Sequence, residues 1–317
     1  MKVAMLGTGR IADSQLAPAL GNARDVELWS VLSRDEGRAR AFAERHGAQA
    51  PEPAYTDLDA LLRDPALDAV VIATPDGLHA EQGLAAVRAG KHVLVEKPLT
   101  TSSADASVLV AAAEEADVRL GVAYHLRWHA GHREMHRRAQ SGELGELRHV
   151  RAQWSWPAPD ASNWRAGPEV GRWWSLAGVG THCLDLIRWF LVPRCGEVVR
   201  VTGLTSRAVW NGPHDETAVV ALAFESGATA EFCSSVQFPS PSRLEVYGST
   251  GYVVGTGTLG PHGAGTVVSH QGGVPFEVAN PFVGELEDFA AAVGEGRSPE
   301  VDGAEGHRNV ELLEAVE

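Results

Sequence analysis

The residues Gly7-Thr8-Gly9-Arg10-Ile11-Ala12 match the pattern G-x-G-x-x-A directly after the apolar run Lys2–Leu6. Each position has a mechanical reason to be what it is. Gly7 permits a tight turn, Gly9 lets the backbone approach a pyrophosphate, and the small Ala12 allows close packing of helix on strand. A pyrophosphate would then lie at the start of the following helix, so the segment points to dinucleotide binding. The second apolar run ends Val31-Leu32-Ser33-Arg34. NAD sites carry an acid at this strand end for the ribose hydroxyls, whereas a hydroxyl followed by a guanidinium suits a 2′-phosphate. The pair Ser33 and Arg34 therefore favours NADP; if Asp35 faces the ribose instead of Ser33, NAD is favoured. Two further clusters, Ala73-Thr74-Pro75-Asp76-Gly77-Leu78-His79 and Val95-Glu96-Lys97-Pro98, follow later apolar runs. Strand ends of this kind are where open α/β sheets hold ligands.

These turns need a repeating scaffold, and residues 1–123 supply one. The apolar runs Lys2–Leu6, Val26–Leu32, Asp68–Ala73, Lys91–Val95 and Val118–Ala123 alternate with amphipathic stretches at Arg10–Leu20, Glu36–His46, Asp57–Leu62, Leu78–Ala89 and Ala104–Ala116. Cap residues such as Asp57 and Ser103 open several of these helices. The alternation predicts a Rossmann-type, doubly wound parallel sheet with right-handed crossovers. Residues 124–317 change character. A helix at Gly131–Gln140, a long strand at Glu146–Trp156 and a helix near Thr181–Leu191 precede two hairpins. The hairpins are Thr217–Phe224 with Thr229–Ser235, and Arg243–Tyr247 with Tyr252–Val254. The glycine-rich Gly255–Gly273 reads as an exposed loop or weak edge hairpin, and helices at Glu285–Val293 and Ala304–Val316 close the chain. The expected second domain is α+β, with an open, mostly antiparallel sheet.

Composition narrows the function classes. A chain of 317 residues with 44% hydrophobic and 21% charged residues can build two folded domains. A net charge of −14 repels polyanions and argues against a nucleic-acid coat protein. Cys183, Cys195 and Cys233 form no C-x-x-C pair, which fits a reducing cytosol and no thiolate metal site. Neither a signal segment nor a membrane-length apolar run is present, and the expectation is a soluble, unprocessed, cytoplasmic chain.

With Glu96-Lys97-Pro98 added to the glycine turn, the chain resembles the Gfo/Idh/MocA family of oxidoreductases across nearly its whole length. Trp164-Arg165, the segment Gly180-Thr181-His182-Cys183-Leu184-Asp185, and the closing helices carry the same likeness. The resemblance implies that Gly7, Thr8, Gly9, Arg10, Ile11, Ala12, Ser33, Arg34, Thr74, Pro75, His79, Glu96 and Lys97 hold the cofactor. It also implies that Lys97 reaches the substrate oxygen beside the nicotinamide, with Pro98 holding the turn through a cis bond. An ammonium donor there lowers the cost of alkoxide-like charge, yet with a reference pKa of about 10.4 it is a poor base. By the same likeness His182 exchanges the proton, a task suited to an imidazole of reference pKa about 6.5. Asp185, on the same helix face, would orient that ring or bind a substrate hydroxyl.

The family usually shows an Asn-x-Arg-like segment where this chain has Tyr124-His125-Leu126-Arg127-Trp128, which places Tyr124, His125 and Arg127 near substrate. Many members carry an Asp four residues before the histidine, where this chain has Gly178. Lys97 and His182 then act alone, or an acid such as Asp160 or Glu169 enters from the loop. The spacing of His125, His129, His132 and His136 raises a metal site, but no partner motif supports one and Arg133, Arg137 and Arg138 oppose a cation. No metal is expected. Seven of the nine tryptophans lie between Trp128 and Trp189. Trp154 and Trp156 read as sheet packing or an oligomer face, whereas Trp164 with Arg165, and Trp173 with Trp174, read as cleft residues. The expected activity is an NADP-preferring dehydrogenase or reductase of a sugar, cyclitol or related polyol, working as a homodimer or homotetramer. The alternatives are a non-catalytic sensor of the same fold and a reductase of dihydrodiols or dicarbonyls.

Overall fold

Strands buried on both faces need apolar residues at nearly every position, and the first part of the chain supplies six. They are β1 (Lys2–Leu6), β2 (Glu27–Leu32), β3 (Ala54–Tyr55), β4 (Ala69–Ile72), β5 (His92–Glu96) and β6 (Leu120–Ala123). In the computed structural model, which describes residues 1–160, 162–167 and 171–317, they form one parallel sheet. Its order is β3-β2-β1-β4-β5-β6, the Rossmann order, with the switch point between β1 and β4.

The crossovers include a π-helical turn at Ala12–Leu16 that runs into α1 (Ala17–Leu20), then α2 (Glu36–His46), α3 (Leu58–Leu62), α4 (His79–Arg88) and α5 (Ser103–Glu115). Asp57 caps α3 by accepting from the N–H groups of Asp59 and Ala60. α5 is capped by Ser102, one residue earlier than expected, because its hydroxyl reaches the N–H of Asp105.

The second sheet contains β7 (Leu147–Ser155), β8 (Val198–Ser206), β9 (Thr217–Phe224), β10 (Thr229–Ser235), β11 (Arg243–Gly248), β12 (Tyr252–Thr256), β13 (Thr266–Ser269) and β14 (Gly272–Gly273). Its order is β14-β13-β12-β11-β7-β10-β9-β8, antiparallel except where β7 pairs with β10. The helices α6 (Ala130–Gln140) and α7 (Thr181–Cys195) complete this part, and a π-helical turn at Leu176–Gly180 leads directly into α7. β8 was not foreseen, and the glycine-rich stretch resolves into the edge hairpin β13-β14.

The chain divides into two compact units, Met1–Tyr124 with Phe282–Val310, and His125–Pro281 with Glu311–Glu317. The break after Tyr124 lies one residue from the expected boundary. The segment 282–310, expected with the second domain, packs with the first. There Phe282, Leu286 and Phe289 of α8 (Pro281–Glu295) join Val3, Met5 and Ala123 in one core. The start of α9 (Gly303–Glu314) lies against β6, where a Cβ on Gly306 would come 2.5 Å from Val122. Among the described residues no helix is long and apolar enough to cross a membrane.

Candidate active site

In the first unit the glycine turn has the geometry its sequence requires. Gly7 has φ +104°, and a Cβ there would sit 2.7 Å from the carbonyl oxygen of Ala73 at the end of β4. Its N–H donates to Leu32 O at 2.9 Å, tying the turn to the end of β2. A Cβ at Gly9 would meet nothing within 4 Å, so the backbone is open on that side, and Ala12 is fully buried against the sheet. These residues fit a dinucleotide: Gly7 to Ala12 would hold its pyrophosphate and the end of β2 its adenosine ribose.

Ser33 is buried, and its Oγ accepts from Thr8 Oγ1 at 3.4 Å. Arg34 is exposed. The Asp35 carboxylate, which would favour NAD if it faced the ribose, caps α2 instead by accepting from Arg38 N at 2.8 Å.

Lys97 follows β5 and is joined to Pro98 by a cis peptide bond, as expected. It is buried, as is Glu96, whose carboxylate accepts from Lys97 N at 3.3 Å. His79, expected to touch cofactor, is fully buried at the head of α4, with Nδ1 2.9 Å from Pro98 O and Nε2 3.0 Å from Thr74 O. A neutral ring donates to one of these carbonyls at a time. Its ring nitrogens therefore brace the Thr74 turn against the Lys97-Pro98 turn and give the cofactor no free hydrogen-bonding edge. Thr74 Oγ1 donates to Gln82 at 2.7 Å, and Tyr124 is fully buried at the end of β6.

The second unit assembles the other candidates. Residues Trp173 through Leu191 are buried except Gly178. His182 lies on the first turn of α7, with the ring of His125 edge-on at 4.9 Å and the ring of Trp154 tilted at 5.4 Å. His125 belongs to a 3₁₀ turn at His125–Trp128. Asp185 does not act as a free hydroxyl-binding group. Its two oxygens accept from Arg127 Nε at 2.9 Å and Nη2 at 2.6 Å, in a bidentate pair that is 4% and 1% exposed. The pair spans 58 positions of sequence and fixes the His125 turn on α7. Arg127 is thereby a structural cation as much as a substrate-binding candidate.

At Gly178 a Cβ would meet nothing within 4 Å among the described residues, so glycine is not imposed there by crowding at the Cβ. Of the two acids considered as replacements, Asp160 is exposed and accepts from Ser162 N, and Glu169 lies outside the described residues.

The cleft tryptophans divide differently from expectation. Trp164 is 38% exposed with the Arg165 guanidinium over its ring at 4.2 Å, consistent with a surface that meets ligand. Trp173 and Trp174 are core residues, Trp174 stacking on Trp210 at 4.9 Å, while Trp154 is the indole beside His182.

The helical histidines have separate tasks. His129 caps α6 by accepting from Gly131 N, His132 Nδ1 meets Leu126 O, and His136 stacks on Trp189 at 4.0 Å. No group of three or more metal-type side chains converges among the described residues.

One residue that sequence reasoning missed is Asp215. It is buried just before β9, accepts from Trp174 N, Ser175 Oγ and Leu176 N, and so anchors the π-helical turn that leads to His182. Burial pushes its carboxyl above the usual range, opposed by those donors. The only sequence signal was an acid between two strands.

Comparison with known proteins agrees with this geometry. Residues 1–124 match the model described as an oxidoreductase family with an NAD-binding Rossmann fold, and residues 132–254 match the GFO/IDH/MocA C-terminal domain. The chain belongs to the Gfo/Idh/MocA oxidoreductases. Like other members of the family it is an NAD(P)-dependent dehydrogenase or reductase acting on a CH–OH or carbonyl carbon. It is 31% identical to 1,5-anhydro-D-fructose reductase of Ensifer adhaerens, covering 95% of this chain and 91% of that one. It is 32% identical to an NADP(+) D-xylose 1-dehydrogenase of Haloferax volcanii, covering 100% and 96%. Among solved structures, an aldose-aldose oxidoreductase from Caulobacter crescentus complexed with glycerol superposes with a TM-score of 0.91 at 26% identity, covering 99% and 96%.

Proposed function

We propose that this Gfo/Idh/MocA oxidoreductase prefers NADP and acts on a sugar, cyclitol or related polyol and its ketone, with Lys97 and His182 handling the substrate oxygen and proton. The observation that carries the reading is the arrangement around these two groups. Lys97 is buried at the end of β5 in the first unit, in a turn that His79 braces, and His182 is buried on α7 in the second, in contact with the rings of His125 and Trp154.

Oxidising a secondary alcohol removes a hydride from carbon and a proton from oxygen. When bound, the nicotinamide takes or returns the hydride at C4. Lys97 donates to the oxygen and offsets its developing negative charge; His182 takes the proton during oxidation and returns it during reduction. Preference for NADP rests on Ser33 and the exposed Arg34 at the end of β2, with the Asp35 carboxylate engaged as a helix cap. Trp164 and Arg165 offer a ring face and a charge to a polyhydroxylated substrate. The named activities of the two relatives, on an anhydro-sugar ketone and an aldose, support the substrate class.

We also infer a homodimer or homotetramer. Val199, Leu204, Val219, Tyr247, Tyr252 and Val268 are exposed apolar or aromatic residues on the strands of the second sheet, and register places Leu204 beside Val219. The test of function is turnover across a panel of aldoses, inositols, keto-sugars, dihydrodiols and dicarbonyls with each cofactor. Activity confined to the first three classes, with NADPH bound more tightly than NADH, is expected. Activity confined to the last two, or tighter NADH binding, would overturn the substrate or cofactor assignment respectively.

A further inference from the structure

We propose that His125 is a positioning residue whose ring is electrostatically coupled to that of His182, so that the two imidazoles titrate as a pair rather than independently. The inference rests on the role given to His182 above and extends it to the group that tunes that role.

The observations lie within the second unit. The rings of His125 and His182 meet edge to face, with centroids 4.9 Å apart and planes at 78°. Both residues are buried, at 5% and 3% exposure. The contact is held by construction: two residues beyond His125, Arg127 grips both oxygens of Asp185, three residues beyond His182. Trp154 also lies against His182 and offers no titrating group. Burial disfavours the charged form of either ring, but one proton on such a pair is tolerated better than two, because the edge of an imidazolium meets the electron-rich face of its neighbour. Two protons are disfavoured, because two cations this close repel in a site shielded from water. Groups that interact this strongly lose their protons in separate macroscopic steps.

The titratable side chains described on the packed elements are engaged elsewhere or shifted by burial. Arg127 and Asp185 neutralise each other. His132 on α6 is held well below the usual imidazole range by burial, with the charges of His129 and His125 acting in the same direction. Burial also lowers His129 and His136 on the same helix and raises the thiols of Cys183 on α7 and Cys233 on β10. Asp215 is committed to the π-helical turn. Arg188 on α7 lies 3.7 Å from Glu197, and Arg133 on α6 lies over the rings of Trp128 and Trp189. With glycine at 178, no carboxylate precedes His182 by four residues, and the neighbouring imidazole is a titrating group in contact with it.

The experiment is an NMR titration of histidine-labelled protein without substrate, with the His182 signal assigned by its loss in His182→Gln. The expected wild-type result is two titration steps at His182, separated by about 1 pH unit or more and mirrored at His125. In His125→Phe, which keeps a ring but removes the titrating group, a single step should remain. The acid limb of the kcat profile should shift with it. His125→Asn repeats the test with a smaller side chain should the phenylalanine variant fail to fold. A single step in the wild type that is unchanged in the folded variant would overturn the proposal. Two coupled steps in a protein that turns over no member of the panel would count against the polyol assignment while leaving the pair intact.

Discussion

Arg127 and Asp185 show how much of the site depends on one buried contact. Both are almost wholly shielded from water, and their bidentate geometry joins the turn carrying His125 to the helix carrying His182. Removing one partner leaves the other charge buried without compensation, which costs about 3–5 kcal/mol. Arg127→Met should therefore lower unfolding free energy by that amount in urea titrations. Arg127→Lys should recover part of it, since an ammonium cannot reproduce the planar fork. A loss below about 1 kcal/mol for the methionine variant would mean that Arg127 is not a structural cation. Gly7 is constrained at the same scale by its neighbour's backbone, because any Cβ would collide with the Ala73 carbonyl. Gly178 carries the opposite message: a Cβ there meets nothing within 4 Å among the described residues, and the chain does not supply one.

Among the elements, α6 links stability to pH. Burial lowers His136 to about 4, and His132 is held well below its usual range by burial and neighbouring imidazoles. The unfolded chain takes up these protons near pH 6.5, whereas the native state resists them, so proton binding favours unfolding. The stability contributed by the neutral rings is complete above about pH 6.5 and is lost as pH falls from there towards about 4. Denaturation at pH 7.5 and pH 5 should show a larger acid loss for the wild type than for His136→Phe; equal losses would contradict the assignment.

Much of this element layer was legible in sequence. The glycine turn, the five longer parallel strands and the α6 and α7 positions followed from apolar runs and cap residues. β8 was not, because six of its nine positions lie open to solvent and only one is buried, which leaves no apolar period to read. Nor could local pattern place α8 in the core of the first unit, or bring Asp215 to the residues around Leu176, about 40 positions away. Those depend on pairings that sequence spacing does not encode. His79 illustrates the limit within the site: its type suggested a ligand, and its two carbonyl neighbours make it a brace.

For the whole molecule, a net charge of −14 discourages nonspecific contact with polyanions and leaves association to a specific surface. The exposed apolar row that includes Leu204 and Val219 is the surface expected to pair. Sedimentation equilibrium should give a dimer or tetramer for the wild type and a smaller species for Leu204→Glu, with folding unchanged. A wild type that sediments as a monomer would remove the oligomer from the proposal.

The most direct test of the chemistry combines NADPH binding with turnover in Lys97→Met, a change that keeps length and burial while deleting the ammonium. Fluorescence titration should still show saturable NADPH binding, while kcat on the best polyol substrate at saturating cofactor falls by about 10³-fold or more, as for loss of a principal electrostatic stabiliser. Retention of substantial turnover with the cofactor still bound would contradict the role assigned to Lys97.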